Sequence, residues 1–235
     1  MPVPLLGELD KLTCIAVLLV SASTKAADCR EGSSNSVVDQ KVELNGGQVC
    51  LVESGRGVQV VALPSGGGAI LRNSALVDKS DIMDGSVHME SVGSMVKIYF
   101  EYPNNVYSID FDVKDFSVEE SLVTLVLRDS GDVPPDKIVL KTKPEIVERA
   151  KFEFVDKDEL FGSHNLVLDG EVEVRVAVSK SKIFRLPSLN ADRGIYLVEG
   201  DLIRVLSYRD GWLEFVYKMR NGRSVRGWIP MSDVI

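Results

Sequence analysis

From residue 41 to about 178 apolar side chains recur at almost every second position, and that period decides the fold class. Val96, Ile98, Phe100 and Tyr102 fall on one side of an extended chain, with Lys97, Tyr99 and Glu101 on the other. Pro103-Asn104-Asn105 then turns the chain. Tyr107, Ile109, Phe111 and Val113 make a second apolar row, opposite Ser108, Asp110, Asp112 and Lys114. Such alternation describes antiparallel strands with one wet face. Val42 and Leu44, then Val49 and Leu51, flank Asn45-Gly46-Gly47, residues that accept the positive φ of a tight hairpin turn. Val58, Val60, Ala62 and residues 69–72 follow, split by a turn at 65–68. Further strands are expected at 122–127, 138–141 and 149–155, and Val133-Pro134-Pro135-Asp136 forces another turn. Residues 145–149 suit one helical turn, but nowhere after residue 26 does a 3.6-residue period persist for a full helix. The expected fold is all-β: an N-terminal sandwich or barrel of roughly seven to nine strands over residues 27–165, then a smaller barrel.

Residues 12–22 form an 11-residue apolar run with Lys11 before it. A membrane-spanning helix needs about 20 apolar residues, so this run is too short to stay in a bilayer. Thr24-Lys25-Ala26-Ala27 offers small residues where a signal peptidase cuts. Residues 1–26 therefore read as a cleaved secretory signal with the mature chain starting at Ala27, although Glu8 and Asp10 offset its positive end. A buried core helix is the competing reading. No Leu-x-x-Cys lipobox precedes Cys29, so no membrane anchor is expected, and the protein is placed in the periplasm or outside the cell.

Cysteine content fits that compartment. Cys14 leaves with the signal, and Cys29 and Cys50 remain. Two thiols in an exported chain most economically form a disulfide, worth roughly 3 kcal/mol for a loop of about 20 residues. A free pair is the alternative. A metal site would need neighbouring ligands that neither cysteine has.

Charge is unevenly distributed. Residues 27–175 hold 15 Lys/Arg against 27 Asp/Glu, a net −12, whereas residues 176–235 hold 10 against 6, a net +4. An acidic body argues against nucleic acid as the partner of the whole chain. The basic C-terminal part suits something anionic, or the two halves attract each other.

Catalytic signals are weak. Outside residues 1–26 the chain has two histidines, His88 and His164, both expected in polar loops, and no nucleophile–base pair stands out. Asp78, Asp81 and Asp84 are spaced every third residue, with Met89 where a calcium loop requires glutamate. Asp110 and Asp112 share one strand face and read as its solvated side. No catalytic residue, metal or cofactor is expected.

The last 65 residues carry a more specific pattern. Apolar stretches at 202–205, 212–217 and 228–229 are separated by Glu199-Gly200-Asp201, Arg209-Asp210-Gly211 and Asn221-Gly222. This order, closing on Gly227-Trp228-Ile229-Pro230, resembles the bacterial Src-homology-3-like (SH3-type) domain over about residues 172–235. The resemblance implies a small, strongly bent barrel at 168–235 that binds a ligand and is seldom catalytic. It also implies a groove, for which Phe184, Tyr196, Trp212 and Tyr217 are the candidates, with Trp228 as core packing. Eukaryotic relatives place an aromatic near Asp233 and several in the first long loop to grip proline-rich helices. Here that loop, 181–193, is basic and holds only Phe184, which turns the expectation away from proline-rich peptides.

The function expected is an exported, non-enzymatic binding protein of the bacterial cell envelope. Its partner is peptidoglycan peptide or an envelope protein, and its oligomeric state is open. The alternative is a periplasmic immunity or inhibitor protein that blocks an enzyme or toxin with the acidic body. An enzyme with an unfamiliar site is the third class.

Overall fold

The computed structural model describes residues 29, 37–45, 47–55, 57–65, 68–83, 87–103, 105–126 and 137–234. The expected signal at 1–26, Asp84 and the turn at 133–136 lie outside these residues. Antiparallel strands dominate the described chain and assemble into three sheets, so the fold is all-β. Among the described residues no helix is long and apolar enough to cross a membrane.

The first sheet runs in chain order: β1 (Val37–Leu44), β2 (Gly47–Ser54), β3 (Gly57–Pro64) and β4 (Leu71–Asn73). Leu44 pairs with Gly47 and Ser54 with Gly57, so both hairpins close through two-residue turns. Val49, Leu51, Val58, Val60 and Ala62 face the large core. Cys50, Val52, Val61 and Leu63 face the opposite way and form a small cluster with Cys29. Dryness on both faces is why Val49-Cys50-Leu51-Val52 is an unbroken apolar run. A Cys29–Cys50 disulfide, with Cα atoms 6.4 Å apart, ties the start of the described chain across the back of this sheet.

The second sheet has the order β10-β9-β8-β7-β6-β5. Its strands are β5 (Val87–Val92), β6 (Met95–Tyr102), β7 (Asn105–Asp112), β8 (Val118–Val126), β9 (Lys137–Thr142) and β10 (Leu166–Leu168). The rows expected on β6 and β7 pair directly: Val96 with Phe111, Ile98 with Ile109, Phe100 with Tyr107. One face of this sheet serves two cores. Val96, Ile98, Phe100, Ile109 and Phe111 pack under the first sheet. Val123, Leu125, Ile138, Leu140 and Leu166 pack under the C-terminal sheet.

Three expectations change here. Residues 149–155 are not a strand. After the short helix α2 (Pro144–Val147) they make turns with a single bridge, Ser117 to Lys151. Phe152 and Val155 are carried into the core, where the Phe152 ring meets Phe111 at 5.4 Å. The buried Asn73 amide donates to the carbonyls of Phe152 and Val155 and so supplies the partner a strand neighbour would have given. Asp110 is 5% exposed rather than solvated, because Lys97 on the neighbouring strand reaches it at 3.1 Å. His88 lies on β5, not in a loop, and stacks on the cross-strand Tyr99 ring at 4.5 Å.

The third sheet has the order β11-β14-β15-β16-β12-β13. It contains β11 (Val172–Arg175), β12 (Ser181–Phe184), β13 (Asp192–Leu197), β14 (Leu202–Arg209), β15 (Trp212–Lys218) and β16 (Ser224–Pro230). Val174, Ile183, Leu197, Ile203, Leu213, Phe215 and Ile229, from all six strands, converge in one cluster. Two positions shape this sheet locally. Asp210 and Gly211 both have positive φ (47° and 80°), the geometry of the tight turn that joins Arg209 to Trp212. Gly227 lets β16 approach β12, since a Cβ there would lie 2.5 Å from Ile183 Cγ2. The stretch 161–170, which spans the expected boundary between the two domains, carries a 3-10 turn and β10, the edge of the second sheet.

Candidate functional site

Alternation sorts the C-terminal aromatics. On β15, Leu213 and Phe215 are fully buried, so Trp212 and Glu214 project from the outer face. On β16, Gly227 and Ile229 turn inward and Trp228 outward. Cross-strand pairing then sets Trp212 opposite Pro230, Glu214 opposite Trp228, and Trp228 opposite Phe184. Phe184 and Trp212 meet edge to face, with centroids 5.1 Å apart. This contact buries Phe184 and leaves Trp212 half-buried. Beyond Phe184 the 185–191 loop exposes Leu186 and Leu189.

The same face is electropositive. Arg226 Nε donates to Glu214 at 2.8 Å and Ser207 Oγ donates to its other oxygen at 3.0 Å. The Arg226 bond holds the Glu214 carboxyl below its ordinary range, so the one acid in this row is ionised and already matched. Arg209 stands exposed beside Trp212, its cross-strand partner. Arg193 anchors the loop by donating to the Arg226 carbonyl at 2.5 Å.

The four groove candidates therefore separate. Phe184 and Trp212 come together. Tyr196 stands exposed on β13 under the Lys180 ammonium, 4.3 Å from its ring centroid. Tyr217 faces the core side of β15 and donates to Asp201 at 2.9 Å, a bond that raises its pKa. Trp228, expected as core, is half-buried on the outer face because Ile229 takes the inward position. Asp233 accepts from Ser181 Oγ at 2.6 Å.

A concave feature elsewhere was not signalled by any motif. Where β6 turns into β7, at Tyr102 and Asn105, a cleft of about 520 Å³ opens. Fully buried Phe100 is its floor. Tyr102, Tyr107 and Phe161 stand around it in edge-to-face contact, Tyr107–Phe161 at 4.8 Å and Tyr102–Tyr107 at 5.6 Å. Tyr107 and Phe161 touch both main cores, which places the cleft at their seam. Its polar end belongs to α1 (Lys79–Met83) and α3 (Lys157–Leu160). Asp81, 3% exposed, takes the Lys157 ammonium at 2.6 Å and the Tyr102 hydroxyl at 2.6 Å. Asp78 lies 3.5 Å from the same ammonium. Burial, then the Asp81 bond, pushes the Tyr102 pKa up and keeps that hydroxyl a donor. The tyrosines were legible in the sequence as apolar-row residues, but the salt bridge spans 76 positions and had no local trace.

Among the described residues no group of three or more His, Cys, Asp or Glu is placed to hold a metal. Comparison with known proteins finds no matching family model, no matching curated protein and no matching solved structure.

Proposed function

We propose that this is an exported, non-enzymatic binding protein of the bacterial cell envelope. In this proposal residues 172–235 act as an SH3-type module that recognises peptidoglycan peptide or an envelope protein. The observation that carries it is Trp212, half-buried on the outer face against the buried Phe184 ring, beside Pro230, Trp228 and the exposed leucines of the 185–191 loop. Partly exposed aromatic anchors tend to dominate recognition energies. The arginines around a neutralised Glu214 favour an anionic ligand, such as the carboxylates of a wall peptide or an acidic protein surface. Export is supported by the disulfide, which forms and persists in oxidising compartments.

The test is co-sedimentation with purified peptidoglycan, alongside capture from native envelope with the mature chain as bait. Trp212→Ala should weaken binding by about 30-fold, equivalent to ~2 kcal/mol. Association should slow as salt rises. Tyr217→Ala, which alters the core side, should lower stability while leaving affinity nearly unchanged. Binding that tolerates Trp212→Ala and ignores salt would move recognition to the acidic body, as an inhibitor or immunity protein requires.

A further inference from the structure

The seam cleft differs in chemistry from the C-terminal face. We propose that it is a binding site for an organic cation, an ammonium or guanidinium carried on an apolar or aromatic body. Its volume, about 520 Å³, falls in the range of sites that enclose small ligands. Three observations select the ligand class.

The first is the walls. Tyr102, Tyr107 and Phe161 hold one another edge to face, so their orientations are fixed by mutual contact before any ligand arrives. Aromatic faces attract a cation and are indifferent or repulsive to an anion. The second is the sign of charge at the polar end. Among the described residues Lys157 is the one cation lining the cleft, and Asp81 and Asp78 both engage it. Two carboxylates around one ammonium give that end a negative balance among the described residues. The third is the rim. Asp158 lines the cleft, is exposed, and makes no ion pair among the described residues. A ligand cation entering between the rings would meet its carboxylate at the mouth, whereas a ligand anion would meet three acids and a lysine already occupied. The surrounding body, at net −12, draws the same sign from a distance.

This inference does not rest on the proposed envelope function. A chain carrying Trp212→Ala should bind the cation as the wild type does, so failure of either idea leaves the other standing. The test titrates the full mature chain, by calorimetry, with phenethylammonium, its neutral isostere phenethyl alcohol, and phenylpropionate. The ammonium should bind about tenfold more tightly than either, the factor expected for one cation–π contact plus an exposed carboxylate. Asp158→Asn alters an exposed side chain whose loss leaves the core intact, and it should reduce that preference several-fold. Phe161→Leu keeps apolar volume but removes a π face, and it should weaken the ammonium more than the alcohol. Acetyl-phenylalanyl-lysine amide distinguishes the sources: tighter binding than phenethylammonium identifies a lysine side chain of a partner, and weaker binding identifies a small amine. Equal affinity for ammonium and alcohol, preference for the carboxylate, or a preference unchanged by Asp158→Asn would overturn the proposal.

Discussion

Asp110 shows how a single residue departs from the pattern around it. Alternation puts it on the wet side of β7, yet the Lys97 pairing and the closeness of Tyr99 and Glu90 remove it from water. Burial raises its pKa more than the Lys97 ammonium lowers it. A raised folded-state pKa means that the native protein favours the protonated acid. The contribution to stability is full below the ordinary aspartate value and is lost as pH rises through the folded value. Asp110→Asn should therefore gain on the wild type as pH rises from about 3 to 7, read as the difference in melting temperature across that range. A constant difference would show that Asp110 does not titrate in this way. Gly227 makes an opposite kind of prediction. Gly227→Ala forces a methyl against Ile183 and the Phe184 carbonyl, and should destabilise the chain by about 1–3 kcal/mol in denaturant melts. The closing Gly227-Trp228-Ile229-Pro230 run is visible in the sequence, but the contact itself is with β12 and leaves no local trace.

At the scale of elements, what was legible depended on how locally each element is determined. The β6–β7 hairpin and the Asp210-Gly211 turn follow from period and turn chemistry, and both stand where expected. Residues 149–155 do not, since their aromatic and branched side chains suit a strand and only Asn73, more than 70 positions away, dictates otherwise. The groove candidates met the same limit. Trp212 and Tyr217 look alike in sequence, but five positions on a strand put them on opposite faces. The first sheet adds an element whose stability is non-local by construction. Its small back cluster contains Cys29, so the disulfide both closes a loop and covers apolar surface. Reduction should lower stability by roughly 3 kcal/mol on loop entropy alone. Cys50→Ala should cost more than Cys29→Ala, because Cys50 is fully buried within β2. Equal losses in thermal melts would reduce the role of the cluster to the crosslink.

For the whole molecule, the decisive feature is that one sheet face is shared. Composition separates an acidic body from a basic C-terminal part, and that division invites two independent domains joined near residue 165. Val174, Ile203, Val205, Leu213, Phe215 and Ile229 of the C-terminal sheet pack in one cluster, and the expectation is that a segment of this kind folds alone. The body is less complete by itself, because Val123, Leu125, Ile138 and Leu140 share their cluster with residues of the C-terminal sheet. Leu140 is 1% exposed there, though it belongs to β9. Leu140→Ala should cost about 2–5 kcal/mol, the range for an emptied leucine site in a packed core. Its distinctive consequence is where the loss appears. If the shared face couples the two parts, the full chain unfolds in a single calorimetric transition, and Leu140→Ala lowers it without splitting it. A segment covering residues 171–235 should still unfold cooperatively, at a lower temperature than the intact chain. Two transitions in the wild type, with the C-terminal one unmoved by Leu140→Ala, would mean that the halves fold independently and that the seam cleft lies between bodies free to move apart.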